Sequence, residues 1–289
     1  MKLHLAIGGI NFWLRSSSHR WELELDNPLS LFLSTDPADV QVHIHHGWRG
    51  VETKRLAIAC DSTQWQVWEV PEGLAFMIHG HEPTGVPDRL MLLNRSSSEA
   101  DVYLRVQGDG STYYPLEYPL GHMLLSTCLA VRNGIAVHAA GVVVDGRAIL
   151  FIGKSGSGKT TMAGLWSRQP DVTVLADDLV VVRQHCDRFI AYGTPWHGTR
   201  GLCSPASAPL ERIYLIRHER FNRQARLSAD ALLAARLYSG TFLPAWSKAG
   251  MAWHVEMIAR LTERVPCYDL GFVPNASVVD YVREHWTET

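Results

Sequence analysis

Lysine is scarce in this chain of 289 residues. It occurs only at Lys2, Lys54, Lys154, Lys159 and Lys248, and arginine supplies the rest of the 27 basic residues. Cysteine is scarce as well. Cys60, Cys128, Cys186, Cys203 and Cys267 are scattered, odd in number and form no C-x-x-C pair. That excludes a disulfide framework and a thiolate zinc site, and a reducing, cytoplasmic setting is the expectation. An excess of either charge is missing too: 27 basic against 29 acidic residues leave a formal net charge of −2. Nucleic-acid binding through bulk basic charge is therefore excluded. No apolar run reaches the ~18 residues that a membrane-crossing helix needs, so no membrane partner is expected. After Lys2 a short apolar stretch is broken by His4, Gly8, Gly9 and Asn11. It reads as lacking a signal peptide. What is present is an ordinary globular composition, 46% hydrophobic and 19% charged, in a chain long enough for about two domains.

The first part of the chain reads as β-rich. Short alternating or aromatic runs cover Val40 to Ile44, Trp65 to Val70, Leu74 to Ile78, Leu90 to Leu93 and Asp101 to Val106. Turn clusters such as Ser16 to Ser18, Pro71 to Gly73 and Ser96 to Ser98 separate them. Trp13, Trp21, Trp48, Trp65 and Trp68, with Phe12 and Phe32, read as core aromatics or as the wall of a groove. A helix is expected from about Glu117 to Arg132, with Gly134 as its stop. The domains are accordingly drawn as 1–115, β-rich and suited to holding a substrate, and 116–289, a nucleotide-binding domain. No internal repeat is evident.

From Gly134 the pattern changes. Asp145-Gly146 between two apolar runs is a hairpin signal, because both turn positions favour positive φ. A helix from Lys159 to Ser167, a strand from Val172 to Leu175, a hairpin around Cys186-Asp187 and a strand from Ile213 to Ile216 follow. Ser228 is the expected N-cap of a helix through Leu237. Met251 to Glu263 reads as a helix, Val265 to Leu270 as a strand, and Ser277 as the cap of a terminal helix.

Gly153-Lys154-Ser155-Gly156-Ser157-Gly158-Lys159-Thr160 matches G-x-x-x-x-G-K-[ST] at every fixed position. Such a loop turns its backbone N–H groups toward phosphate oxygens, and the helix after it offers the positive end of its dipole. Gly153, Ser155, Gly156, Ser157, Gly158, Lys159, Thr160 and Thr161 are the candidate nucleotide-binding residues. Lys159 brings the point charge and Thr160 a hydroxyl for Mg²⁺. Asp177 and Asp178 end the next strand, where a carboxylate can serve the metal and another can take a hydroxyl proton. His138, among small residues before the hairpin, is a candidate for orienting an acid or touching a phosphate. The pairs His43/His45 and His79/His81 share strand faces but have no third metal ligand. Basic residues from Arg212 to Arg226 are either a solvated face or a contact for triphosphate or an acidic peptide.

His138, the Asp145-Gly146 hairpin, Gly153–Thr160 and Ala176-Asp177-Asp178, in that order, resemble the HPr kinase/phosphorylase family, whose P-loop domain is akin to phosphoenolpyruvate carboxykinase. The resemblance spans roughly Gly134 to Asp178. It implies an α/β (α+β) P-loop kinase domain with a mixed sheet, behind a β-rich N-terminal domain. It also implies Lys159 and Thr160 on Mg·ATP, Asp178 as the base that activates a serine hydroxyl, Asp177 on the metal or its water shell, and His138 beside them. Thr199-Arg200-Gly201-Leu202-Cys203 keeps only part of the family's second signature and lacks its glutamate, which argues against phosphorylase activity. Gly193 to Gly198 looks like the shorter HPr-kinase-like proteins, some of which phosphorylate a serine of a lasso-peptide precursor. The expected partner is then a protein or peptide with a serine hydroxyl. A small-molecule kinase acting on free serine, or a nucleotide-sensing module without transfer, are the alternatives, and a homo-oligomer is left open.

Overall fold

A computed structural model describes residues 2–16, 28–47, 57–79, 87–108 and 114–286. The chain divides into two compact units. One is Met1–Arg132 with Leu243–Ala252, and the other is Asn133–Phe242 with Trp253–Thr289. Among the described residues there are two mixed sheets and five helices, and no helix is long and apolar enough to cross a membrane.

The first unit is built on eight strands: β1 Lys2–Ile7, β2 Ile10–Ser16, β3 Val40–His46, β4 Ile58–Asp61, β5 Trp65–Val70, β6 Gly73–His79, β7 Pro87–Asn94 and β8 Glu99–Leu104. They lie in the order β1-β2-β3-β8-β7-β6-β5-β4. β3 runs parallel to both of its neighbours, and the other pairs are antiparallel. The β1–β2 hairpin turns on Gly8 and Gly9 at φ 61° and 69°, a two-residue geometry in which glycine carries no Cβ penalty. Alternation then sends Leu3, Leu5, Ile7, Ile10, Phe12 and Leu14 to one face, where all are buried. Each such side chain contributes about 1.5–3 kcal/mol. Helix α1, Leu120–Ala130, follows. It begins three residues later than expected because Pro119 occupies its N-cap, and Pro supplies no backbone N–H for the preceding turn. The unit division falls after α1, not before it, and takes in 243–252, a return that no local pattern signals.

Phe12 and Phe32 are core residues, whereas Trp13, Trp65 and Trp68 are half-buried. Trp21, Trp48 and His81 lie outside the described residues. His43 faces Glu99 at 3.4 Å and His45 faces Asp101 at 2.6 Å, so each histidine has one carboxylate across the parallel β3–β8 pair. Among the described residues no group of three or more His, Cys, Asp or Glu is placed to hold a metal.

The second unit carries β9 Gly134–Val144, β10 Arg147–Ile152, β11 Val172–Ala176, β12 Leu179–His185, β13 Arg188–Tyr192, β14 Ser207–His218, β15 Arg223–Arg226 and β16 Cys267–Phe272. Its helices are α2 Lys159–Trp166, α3 Ala231–Tyr238, α4 Lys248–Arg264 and α5 Ser277–Glu284, although the first residues of α4 belong to the other unit. The Asp145-Gly146 hairpin forms as read, with φ 48° and 72°. β10, β14 and β16 run parallel side by side. Period-two alternation splits the core between the two faces of this sheet. Ile152, Leu215 and Cys267 pack with Leu233 and Leu237 of α3 and Met257 of α4. Phe151, Tyr214 and Leu270 pack with Met162 and Trp166 of α2 and Val278 of α5.

Several ends shift from expectation. α3 is capped by Asp230, whose carboxylate accepts the Leu233 N–H, and not by Ser228. β15 was not anticipated, because a short edge strand rich in arginine carries no apolar alternation. Buried His254 lies 2.9 Å from the Thr241 hydroxyl, and burial pulls its pKa down to about 4. A folded-state histidine pKa below its unfolded value means that the unfolded chain takes up the proton first as pH falls. The stability of this unit is therefore expected to fall between about pH 6.5 and pH 4, by on the order of 3 kcal/mol. Acid unfolding of His254→Gln, followed by circular dichroism, should lose that part of the slope.

Candidate active site

Register brings the candidate residues together. β11 and β12 lie end to end along one edge of β9, paired Ala176↔Gly141 and Leu179↔His138. Asp177 and Asp178 are the break between them, opposite Ala140 and Ala139. On the other edge of β9, Ala139 pairs with Ile152, the last residue before Gly153. Ile152, Ala139 and Asp178 therefore stand abreast on neighbouring strands. At about 4.8 Å per strand spacing, the start of the 153–160 loop is about 10 Å from Asp178 across the backbone. The long strand β9 makes this possible by serving β12 with its first half and β10 with its second.

The loop has the strand–loop–helix context the sequence called for. Gly156 and Gly158 hold φ 78° and 100°, and at Gly158 a Cβ would fall 2.6 Å from the Phe272 ring and 2.8 Å from His218 Cε1. Glycine is thus required at Gly158 for both reasons. At Gly153 a Cβ would strike Ser157 Oγ, a hydroxyl that is buried without a hydrogen-bond partner among the described residues. Lys159 is 7% exposed. Its Nζ donates to the carbonyls of Gly153 at 2.8 Å and Lys154 at 3.2 Å, so the cation spans the mouth of its own loop. Burial lowers its pKa and the Asp178 carboxylate opposes that shift. The electrostatic link ties the loop to the strand break on the other side of β9.

The strand end was expected to let both carboxylates reach the site, but the two aspartates have different surroundings. Asp178 is 42% exposed at its side chain. His138 Nδ1 lies 3.1 Å from both its Oδ1 and its backbone oxygen, and the Ala139 N–H donates to that same oxygen. Asp177 is 1% exposed. Its Oδ1 accepts the Gly198 N–H at 2.7 Å and its Oδ2 the Arg200 N–H at 3.4 Å. It thereby holds the loop from Gly193 to Ser204 against the strand end. Ser204 N–H donating to Leu175 O and the Ala176–Cys203 bridge complete that seam.

No family model and no curated protein matches this chain. Among solved structures, the HPr(Ser) kinase/phosphatase from Coxiella burnetii is similar over 53% of this chain and 97% of its own, with 11% identity and a TM-score of 0.31.

Lys159, Thr160, His138 and Asp178 thus gather where β10 ends beside the middle of β9, with Asp177 behind them. Sequence reading missed the partners of this group. Gly198 and Arg200 reach Asp177 from more than twenty residues away, and His218 reaches Gly158 from β14. The usable signal was the glycine at each end of Gly193-Thr194-Pro195-Trp196-His197-Gly198. At Gly193 a Cβ would lie 1.9 Å from Ser204 O and 2.5 Å from Leu175 O. Gly193→Ala is expected to destabilise the protein by about 1–3 kcal/mol through overpacking against backbone that cannot move aside, measured as a lower urea midpoint with unchanged slope.

Proposed function

We propose that this chain is an ATP- and Mg²⁺-dependent kinase that phosphorylates a serine hydroxyl of a protein or peptide. The observation that carries the reading is the alignment of the 153–160 loop and Asp178 on either side of Ala139, with Lys159 in the field of Asp178. The residues fit a bound triphosphate. Gly153 and Gly158 put no Cβ where the backbone must turn, the Ser157 hydroxyl has no hydrogen-bond partner among the described residues, and Lys159 needs only to exchange two carbonyls for phosphate oxygens. Thr160 would give Mg²⁺ an inner ligand and Asp177, already committed to two N–H groups, would serve its water shell. The metal supplies charge neutralisation of the phosphates.

In transfer, the acceptor Oγ bonds to the γ-phosphorus as the bond from that phosphorus to the β–γ bridging oxygen breaks, and ADP leaves. Asp178 takes the hydroxyl proton. His138 keeps the Asp178 carboxylate turned toward the loop. Lys159 and the loop N–H groups bind the charge that shifts onto ADP. The β-rich first unit is the proposed substrate-handling part, and the narrower substrate is a peptide of the lasso-precursor type. Incubation with ATP labelled on its terminal phosphate and serine-containing peptides should give labelled phosphoserine, lost in Lys159→Ala and in Asp178→Asn. Labelling that survives both variants would refute the assignment, and label on free serine alone would move the substrate to small molecules.

A further inference from the structure

The basic stretch from Arg212 to Arg226 divides in the fold. Arg212 is 2% exposed and donates to the carbonyls of His285 and Trp286, so it fastens the end of α5 and faces no ligand. Part of the remainder gathers around the end of β14. Arg217, Arg223 and Arg236 converge on two carboxylates, Glu219 and Asp269. The carboxylates are the buried partners, 17% and 18% exposed at their side chains. The three arginines are 42%, 55% and 43% exposed. Three cations on two anions leave a surplus of positive charge. Each guanidinium has five donors in a fixed fork, so N–H groups remain toward solvent after these pairs are made. Arg220 and Phe221 stand exposed at the turn between β14 and β15. Asn222 holds that turn in place by accepting the Val273 N–H and donating to the Ser277 hydroxyl.

This cluster borders the candidate site by two routes. His218, next to Arg217, lies against Gly158. Arg236 is one helical turn before Gly240, whose carbonyl accepts the His138 N–H at 2.7 Å and whose Cα adjoins the Ile152 side chain. The arginines therefore form a wall at the ends of β14 and α3, and these ends adjoin the 153–160 loop through Ile152 opposite Leu215 and His138 through Gly240.

We propose that this arginine wall recognises carboxylates of the acceptor, so that the preferred substrate is a serine set in an acidic peptide segment. The inference rests on the kinase reading for its acceptor, but binding tests it without transfer. Glu219 and Asp269 act as positioning residues: they fix the forks, and the outward N–H groups pair with Glu or Asp side chains flanking the serine. Mutual screening by salt makes the preference strongest at low ionic strength.

The probe is a fluorescein-labelled peptide with one serine flanked on both sides by glutamates, compared with its glutamine twin by fluorescence anisotropy. The glutamate peptide is expected to bind about tenfold more tightly, the worth of one exposed charge-assisted hydrogen bond, and added NaCl should erase the difference. The double variant Arg220→Ala/Arg223→Ala changes exposed side chains and leaves Arg217 on Glu219, and circular dichroism checks that it folds. It should lose that preference and keep its affinity for a fluorescent ATP analogue with Mg²⁺. Equal binding of the two peptides, or an undiminished preference in the double variant, overturns the proposal. So does a loss of ATP-analogue affinity in that variant, which would assign the arginines to the nucleotide. Lys159→Ala separates the two readings: it should lose the analogue and keep the peptide preference.

Discussion

Lys159→Ala is expected to weaken Mg·ATP binding by roughly 10²–10⁴-fold, because two charge-assisted hydrogen bonds to phosphate at about 1.5–3 kcal/mol each are removed. The side chain is already buried and oriented, with Nζ 2.8 Å from the Gly153 carbonyl, so little ordering cost is saved by deleting it. Lys159→Arg should fail almost as badly. A planar fork is longer and wider than an ammonium group, and the loop mouth closes on the present Nζ from two carbonyls. Lys154→Arg should change affinity by no more than about twofold, since that position lends the site only its backbone carbonyl. The scarcity of lysine thus leaves one position where arginine cannot stand in. The pH dependence follows from the same environment. Burial lowers the Lys159 pKa and Asp178 raises it. Removing the Asp178 charge lowers it further, so in Asp178→Asn the alkaline loss of nucleotide binding should begin at lower pH than in the wild type.

Asp178→Asn is the second large effect. A positioned general base is worth about 10²–10⁴ in rate, so kcat should fall by that factor while Mg·ATP affinity near neutral pH changes little. His138→Ala should lower kcat by less, because His138 acts through Asp178. Asp177→Asn should behave differently from both. One amide oxygen can still accept the Gly198 N–H, but the new NH₂ would face the Arg200 N–H donor in a nearly closed site. An unsatisfied buried donor costs about 1–3 kcal/mol, so this variant should show its defect first in denaturant midpoint. Comparing kcat and urea midpoint for the two asparagine variants separates the proposed base, Asp178, from the loop-holding Asp177.

The parts of this fold that rest on local chemistry were legible in the sequence. The Asp145-Gly146 turn needs positive φ at two adjacent positions, and the 153–160 loop needs glycine where Phe272 and His218 close in. Both needs are written in the residues themselves. The Gly8-Gly9 hairpin was equally local, yet its glycines read as breaks in an apolar run, not as a turn between two alternating strands. Non-local features were not legible. The arginine-rich β15 looks like a solvated stretch until β16 pairs with it. The two-sided use of β9, which brings the start of the loop abreast of Asp178, depends on pairings up to 49 residues apart, Gly134 with Arg183. The return of 243–252 to the first unit and the hold of Asp177 on Gly198 and Arg200 belong to the same class. The candidate site residues could be named from sequence, but their arrangement needed the register.

The most direct measurement is calorimetric titration of Mg·ATP into the wild-type chain and into Lys159→Ala. Saturable one-to-one binding by the wild type, weakened by about 100-fold or more in the variant, is the predicted result. No binding by the wild type, or equal affinity in the two proteins, would contradict a nucleotide site at Gly153–Thr160 and with it the kinase assignment.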